Sequence, residues 1–336
     1  MARALVACVV LALAGAIGVS ARQSAWPVPR GIHEPLNAPA ANLLTANKVA
    51  LGRRLFSSKM LSRTSEVSCA TCHDPARAFS DARTLAVGVA GRTGTRHSPA
   101  LINRGFGESF FWDGRASSLE AQVVMPIADP NEMDFTVAGA VTRLQRDPSY
   151  AKEFSAAFGR PVNARDLGYA LASFVRSIVS GDSRVDRYLD GDDAALSATE
   201  ARGMRVFRGA GLCTTCHKGG NFTDESFHNT GIAWAGRPGG AGGAGGEFLD
   251  EGRAAITGKP DDGGAFKTPT LREVTRTAPY MHDGSLPTLE AVVDYYDRGG
   301  NVNPLLDPEI RPLRLSTEEK RALVSFLASL SGEMRP

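Results

Sequence analysis

CATCHDPARAFSD occupies residues 69–81, and CTTCHKGGNFTD occupies residues 213–224. Each sets Cys-x-x-Cys-His ahead of Phe-[Ser/Thr]-Asp. Each follows an apolar run of helical spacing, LGRRLF at 51–56 and RGMRVF at 202–207. The likeness continues downstream. SPALIN (98–103) parallels TPTLRE (268–273), and FWDGRASSLEAQVVMP (111–126) parallels MHDGSLPTLEAVVDYY (281–296). Pro99 precedes Trp112 by 13 residues, and Pro269 precedes His282 by 13. A shared offset across several motifs marks an internal repeat. The expected fold is mainly α, two copies of one domain related by duplication.

Local signals agree with helices. Ser197-Ala-Thr-Glu200 is a capping box that opens a helix through Phe207. Residues 166–180 and 317–330 carry apolar positions at helical spacing. Alternating strand-type runs are scarce. SGDSRVDRYLDGDD (180–193) carries loop signals and places the boundary between residues 22–185 and 186–336. AGRPGGAGGAGGEF (235–248) lengthens the second copy as a flexible surface insertion. Its glycines formally match G-x-G-x-x-G, but no strand precedes them and no helix pattern follows, so a dinucleotide site is excluded.

Cys-x-x-Cys-His is the attachment signature of a c-type haem. Two sulfurs bond the haem edge, and the adjacent histidine ligates iron. The first cysteine and the histidine lie about one helical turn apart, so one short segment can wrap that edge. Cys69, Cys72, Cys213 and Cys216 are thus assigned to two covalent haems, with His73 and His217 as iron ligands. Three other uses of the cysteines compete. A shared zinc site needs the two pairs brought together from far apart in sequence. A disulfide within each pair is allowed in an oxidising compartment. A thioredoxin-like motif lacks its βαβ context.

The N-terminus fits an exported protein. Arg3 precedes an apolar run from Ala4 to Val19, and Val19-Ser20-Ala21 has the small residues of a cleavage site. Residues 1–21 read as a signal peptide, and Cys8 leaves with it. The run is short for a membrane span, and no other stretch is apolar enough. The formal net charge is +2 without a basic block. Nucleic acid and stable membrane insertion are therefore not expected.

With FWDGR, PNEM (130–133), TPTLR, PYMHDGS and YDRGGN added to the two haem motifs, the chain resembles the bacterial di-haem cytochrome c peroxidases, in particular their MauG-like branch. The resemblance covers nearly the whole mature chain. It implies two cytochrome c-like domains with haems facing a shared interface. Peroxide would react at the N-terminal haem, and the C-terminal haem would handle electrons.

Residue roles follow from that resemblance. Leu289, Val292, Val293 and Tyr296 share one helix face. Tyr296 then caps the second iron, where classical members carry methionine, and Tyr295 turns away. Met281 is the rival ligand, held as packing. In the first copy Leu119, Gln122, Val123 and Pro126 take the same phases, so proline leaves the first iron open. Val89 stands where many members place a plugging histidine. His97 and Met125 are minor candidates for that ligand. Glu132 falls at the family's acid/base position, and Gln122 can hydrogen-bond the bound oxidant. Trp112 resembles the tryptophan between the haems, while Asp113, Gly114 and Arg115 look structural. Carbonyls of Thr277 and Pro279 match calcium ligands, but the third, an asparagine in the family, aligns with His97, and imidazole is a poor calcium ligand. His33, His228 and His282 read as structural or surface residues.

Three functions fit these residues to different degrees. The first is a periplasmic peroxidase reducing hydrogen peroxide with electrons from a small c-type cytochrome or cupredoxin. The second is MauG-type oxidation of a residue on a partner protein. In MauG a surface tryptophan two residues before the second haem motif relays the hole; here that position is Gly211. The third is a non-catalytic electron carrier, disfavoured by Glu132, Gln122 and the missing sixth ligand.

Overall fold

A computed structural model describes residues 26–236 and 245–335. The leader and most of the glycine-rich insertion lie outside the described residues. The helices are α1 (Ala46–Ser57), α2 (Leu119–Gln122), α3 (Met125–Ala128), α4 (Val137–Gln145), α5 (Pro148–Phe158), α6 (Ala164–Ser177), α7 (Arg184–Leu189), α8 (Ala198–Arg208), α9 (Ala254–Thr257), α10 (Leu289–Asp297) and α11 (Thr317–Ala328). Among the described residues, six strands of two or three residues pair antiparallel as β1 (Val179–Gly181) with β6 (Glu333–Arg335), β2 (Phe227–Asn229) with β5 (Ala265–Lys267), and β3 (Trp234–Ala235) with β4 (Glu247–Phe248).

Side chains sort into two hydrophobic cores. One gathers residues from Leu44 to Ile178, with Leu55, Leu61, Phe79 and Phe154 fully buried. The other runs from Val185 to Leu330 around Phe207, Leu323 and Phe326. Each such side chain contributes roughly 1.5–3 kcal/mol relative to exposure. Each core is organised by one tight helix pair, α1 on α6 and α8 on α11. Glycine permits both approaches. A Cβ on Gly52 would lie 2.0 Å from the Ala170 carbonyl oxygen, and one on Gly203 would lie 1.9 Å from that of Ala322.

The two halves repeat in order and in backbone detail. Asn103 and Glu273 are both left-handed, at φ 57° and 59°, as are Phe111 and Met281, at 67° and 73°. The Phe110–Ala116 bridge recurs as Tyr280–Leu286. At the interface the two halves exchange equivalent hydrogen bonds. The Lys267 N–H donates to the Trp112 carbonyl at 2.8 Å, and the His97 N–H to the His282 carbonyl at 2.7 Å.

Three local expectations need correction. Residues 180–193 are not a plain loop, because β1 and α7 form there. Ser183 and Asp186 make a capping box for α7, and Val185 joins the second core. Second, the helix expected through 166–180 stops at Ser177, and the chain continues as β1. Third, Leu119 to Pro126 is not one helix. Pro126 has no N–H for a continuous ladder, so α2 ends at Gln122 and α3 starts afresh at Met125. The equivalent α10 runs unbroken through Tyr296.

Candidate active site

Both Cys-x-x-Cys-His segments form a single tight turn. The His73 N–H donates to the Cys69 carbonyl at 3.0 Å, and the His217 N–H to the Cys213 carbonyl at 2.8 Å. Each ring is then aimed by a second carbonyl. Nδ1 of His73 pairs with the Phe79 carbonyl at 3.0 Å, and Nδ1 of His217 with that of Phe222 at 3.0 Å. Phe79 and Phe222 are left-handed, at φ 57° and 50°, which turns their carbonyls back on the rings. This accounts for the repeated Phe-[Ser/Thr]-Asp: the backbone after the haem motif fixes the tautomer and leaves Nε2 to ligate. Burial lowers the pKa of both imidazoles, favouring the neutral ligand form.

The other uses of the cysteines fit poorly. All four thiols are free, so neither pair is a disulfide. Burial pushes Cys69 and Cys213 up to about 12, the reverse of a reactive redox thiol. Among the described residues the two pairs form no common metal-ligating cluster. Cys216 does lie near Asp224 and His228. The His228 ring is held by carboxylates on both nitrogens, Asp224 at 3.0 Å and Asp307 at 2.5 Å, so it is a structural ion-pair residue.

One cavity of about 620 Å³ joins the motifs, lined by Cys69, Cys72 and His73 from the first half and Cys213, Cys216 and His217 from the second. That lies within the ordinary range for ligand sites. Phe111 and Met281 line it as well, and their left-handed backbones place local strain at the functional site.

The two ends of the cavity differ. At the first, Gln122, Pro126 and Glu132 face it together. Glu132 sits on a support that sequence reasoning missed. The Val89 N–H donates to the Glu132 carbonyl at 2.8 Å, and a Cβ on Gly88 would lie 2.2 Å from the Asn131 carbonyl oxygen. Val89 brings no ring nitrogen to the cavity, and its loop instead anchors the backbone of Glu132. Burial, helped by Asp129 and opposed by Arg115, pushes the Glu132 carboxyl up to about 7. Met125 is 39% exposed and does not line the cavity, which removes it as a ligand candidate. At the second end Val292, Leu289 and Tyr296 line the wall, as does Met281. Burial raises the Tyr296 phenol above its ordinary range. Tyr295 is buried away from the cavity, its hydroxyl donating to the Thr230 carbonyl at 2.8 Å.

Between the ends, the Trp112 indole N–H donates to the His97 carbonyl at 2.8 Å. Both His97 nitrogens are engaged, Nδ1 by the Arg83 carbonyl at 3.0 Å and Nε2 by Ser80 Oγ at 3.2 Å. His97 is therefore structural and is not free to ligate iron. The same contacts bear on calcium. Thr277 and Pro279 line the cavity, but the third position offers an imidazole with no vacant oxygen-type donor. Beside it, Arg96 bridges Asp113 at 2.5 Å and Asp250 at 2.7 Å. A guanidinium between two carboxylates supplies positive charge there, and the residues do not fit a calcium ion. His282 is buried and stacked on Phe266 at 3.6 Å between centroids, while His33 is exposed.

A family model for di-haem cytochrome c peroxidases matches residues 46–194. The chain is 43% identical to the methylamine utilization protein MauG of Methylorubrum extorquens over 302 residues, covering 89% of this chain and 82% of that protein. The chain belongs to the di-haem cytochrome c peroxidase family. Within it, the cytochrome c551 peroxidase of Pseudomonas aeruginosa is 32% identical, with 96% of this chain and 88% of that protein covered. Among solved structures, a MauG-like protein associated with microbial copper homeostasis superposes with a TM-score of 0.80 at 34% identity, covering 92% of this chain and 94% of that one.

The chain is thus a peroxidase-family oxidoreductase with two covalently attached c-type haems as cofactors. Its residues fit them: two oriented, neutral histidines, two free cysteine pairs and one largely apolar cavity between. Among the described residues no helix is long and apolar enough to cross a membrane.

Proposed function

We propose that the chain is a periplasmic peroxidase that reduces hydrogen peroxide at the N-terminal haem and exchanges electrons or holes through the C-terminal haem. The observation that carries this reading is the unequal lining of the shared cavity, with Pro126, Gln122 and Glu132 at one end and Tyr296 at the other. When bound, the first haem supplies an iron at which peroxide can coordinate and be cleaved.

The chain's own residues do the rest. Pro126 offers no donor atom, so that end stays open to peroxide. Glu132 takes a proton from the near oxygen and returns it to the far one, which leaves as water with the electron pair of the O–O bond. Its acidity near 7 suits both directions of that transfer. Gln122 hydrogen-bonds the oxidant. Trp112, held by His97, lies on the path for electrons, and its indole can carry a transient hole. His73, His217 and Tyr296 would hold the irons, Tyr296 as an anionic oxygen that would favour the oxidised metal. Two electrons from a small c-type cytochrome or cupredoxin, with two protons from solvent, complete the reduction of each peroxide to two waters.

Similarity to MauG raises a second reading, oxidation of a residue on a partner protein, and Tyr296 favours it. Gly211 opposes it. Gly211 is buried, and a Cβ there would lie 2.9 Å from the Val206 carbonyl oxygen, so this position neither reaches the surface nor accepts a large side chain without backbone movement. Peroxide consumption measured with and without reduced cytochrome c separates the readings. Donor-dependent consumption supports the peroxidase. Consumption that ignores the donor favours a protein substrate, and no consumption leaves only an electron carrier.

A further inference from the structure

We propose that Arg115 is the cationic, anion-binding group of the peroxide pocket and that Asp113 is the positioning residue that holds it there. The inference rests on the reading of the first haem end as the peroxide site. Arg115 lines the cavity together with Gln122, Pro126 and Glu132. Its guanidinium is fixed on two sides. The central carbon lies 3.5 Å from the Phe111 ring centroid, and Nη1 donates to Asp113 Oδ2 at 2.9 Å. Asp113 Oδ1 accepts the Arg115 backbone N–H at 3.1 Å, so one carboxylate grips both ends of the residue.

That leaves donors to spare. Nη1 has its partner, but Nε and Nη2 of Arg115 donate to no protein group among the described residues, and with the side chain 30% exposed they are open to water or to a ligand. A guanidinium has five N–H donors in a rigid fork, and here part of the fork is held while part stays available to a ligand. The holder is secured from behind. Asp113 is 3% exposed and also accepts from Arg96 Nη1 at 2.5 Å. Arg96 in turn pairs in bidentate fashion with Asp250 of the second half, at 2.7 and 2.8 Å. Asp250 satisfies Arg96, so Asp113 is not drawn away from Arg115. The second half of the molecule thereby steadies a side chain in the pocket of the first.

The chemistry calls for such a group. When peroxide loses its proton to Glu132 the substrate becomes anionic, and when the O–O bond breaks its electron pair moves to the far oxygen. A fixed guanidinium beside those oxygens stabilises both charges without reorganising. Arg115 also acts on Glu132 itself, offsetting part of the push from burial and Asp129.

The test uses the holoprotein with three probes: fluoride on the ferric form, carbon monoxide on the reduced form, and peroxide consumption. Fluoride carries charge and carbon monoxide does not, so a merely structural role would move both alike. Arg115→Gln is expected to weaken fluoride binding about 10-fold, as for one charge-assisted hydrogen bond. It should also slow peroxide consumption at least about 10-fold and leave carbon monoxide affinity within about twofold. Arg115→Lys should recover part of the fluoride affinity. Asp113→Asn should lose less than Arg115→Gln. Fluoride affinity unchanged in both Arg115 variants, with haem content normal, would overturn the inference. If the wild type consumes no peroxide, the peroxide reading fails instead, and the fluoride series still decides whether Arg115 binds anions.

Discussion

At Glu132, an acid/base group is tuned by backbone from a distant part of the chain. The Gly88–Val89 loop seats it, and burial raises its carboxyl to about 7. Below that pH the proton occupies the carboxyl, which then cannot accept one from peroxide; above it the carboxylate is free. Initial rates of peroxide loss should therefore rise with pH through a midpoint near 7. Glu132→Gln should remove that limb and cut turnover on the order of 100-fold while the haem absorption stays intact. Unchanged turnover would take Glu132 out of the mechanism. Tyr296→Phe should abolish the low-spin ferric signal expected of tyrosine ligation and raise the potential of the second haem, both checked by spectroelectrochemistry. An unaltered spectrum would transfer the ligand role to Met281. The haem-binding residues were legible because covalent attachment demands fixed spacing. The carbonyls of Phe79 and Phe222 were not, since the repeated Phe-[Ser/Thr]-Asp acts through its backbone and side-chain letters do not reveal that. Arg115 was read as structural for a related reason: its free donors appear only once Asp113 and Phe111 are seen to hold the rest of the group.

Helix pairs carry each core, and their closeness depends on one glycine apiece. Gly52→Ala and Gly203→Ala would each press a methyl against a carbonyl of the facing helix. Helix propensity alone favours alanine by about 1 kcal/mol. Overpacking costs about 1–3 kcal/mol or more when backbone must move. We expect each substitution to destabilise its half of the holoprotein by roughly 1–3 kcal/mol, read by denaturant unfolding. Stabilisation by either would mean the pairs are looser than described. The glycines were visible at matched places in LGRRLF and RGMRVF, but the reason for them lies in α6 and α11, over a hundred residues onward in each case. The Ser197–Glu200 capping box was legible because its signal is local and an apolar helical run follows it. The stretch 180–193 was misread because its polar letters, taken as loop signals, include the Ser183–Asp186 box that starts α7.

For the whole molecule, the interface is polar and cross-linked by charge. Arg104 pairs with Glu225 at 2.7 Å, and Arg253 donates to the Asp113 carbonyl at 2.9 Å, beside the Arg96 bridge. With a guanidinium and a saturated histidine where an oxygen ligand would be needed, calcium should be dispensable. Exhaustive treatment with a calcium chelator should leave peroxide consumption and both haem spectra unchanged; loss restored by added calcium would contradict the reading of His97 and Arg96. Repetition made the two-core plan legible from sequence, yet function lies in where the halves differ, at Pro126 against Tyr296. The most direct measurement of that difference is electron paramagnetic resonance of the resting, fully oxidised holoprotein. The account predicts one ferric centre with an open or water-filled, exchangeable position and one low-spin centre ligated by tyrosine oxygen. Two centres each closed by a strong, non-exchangeable protein ligand would contradict it.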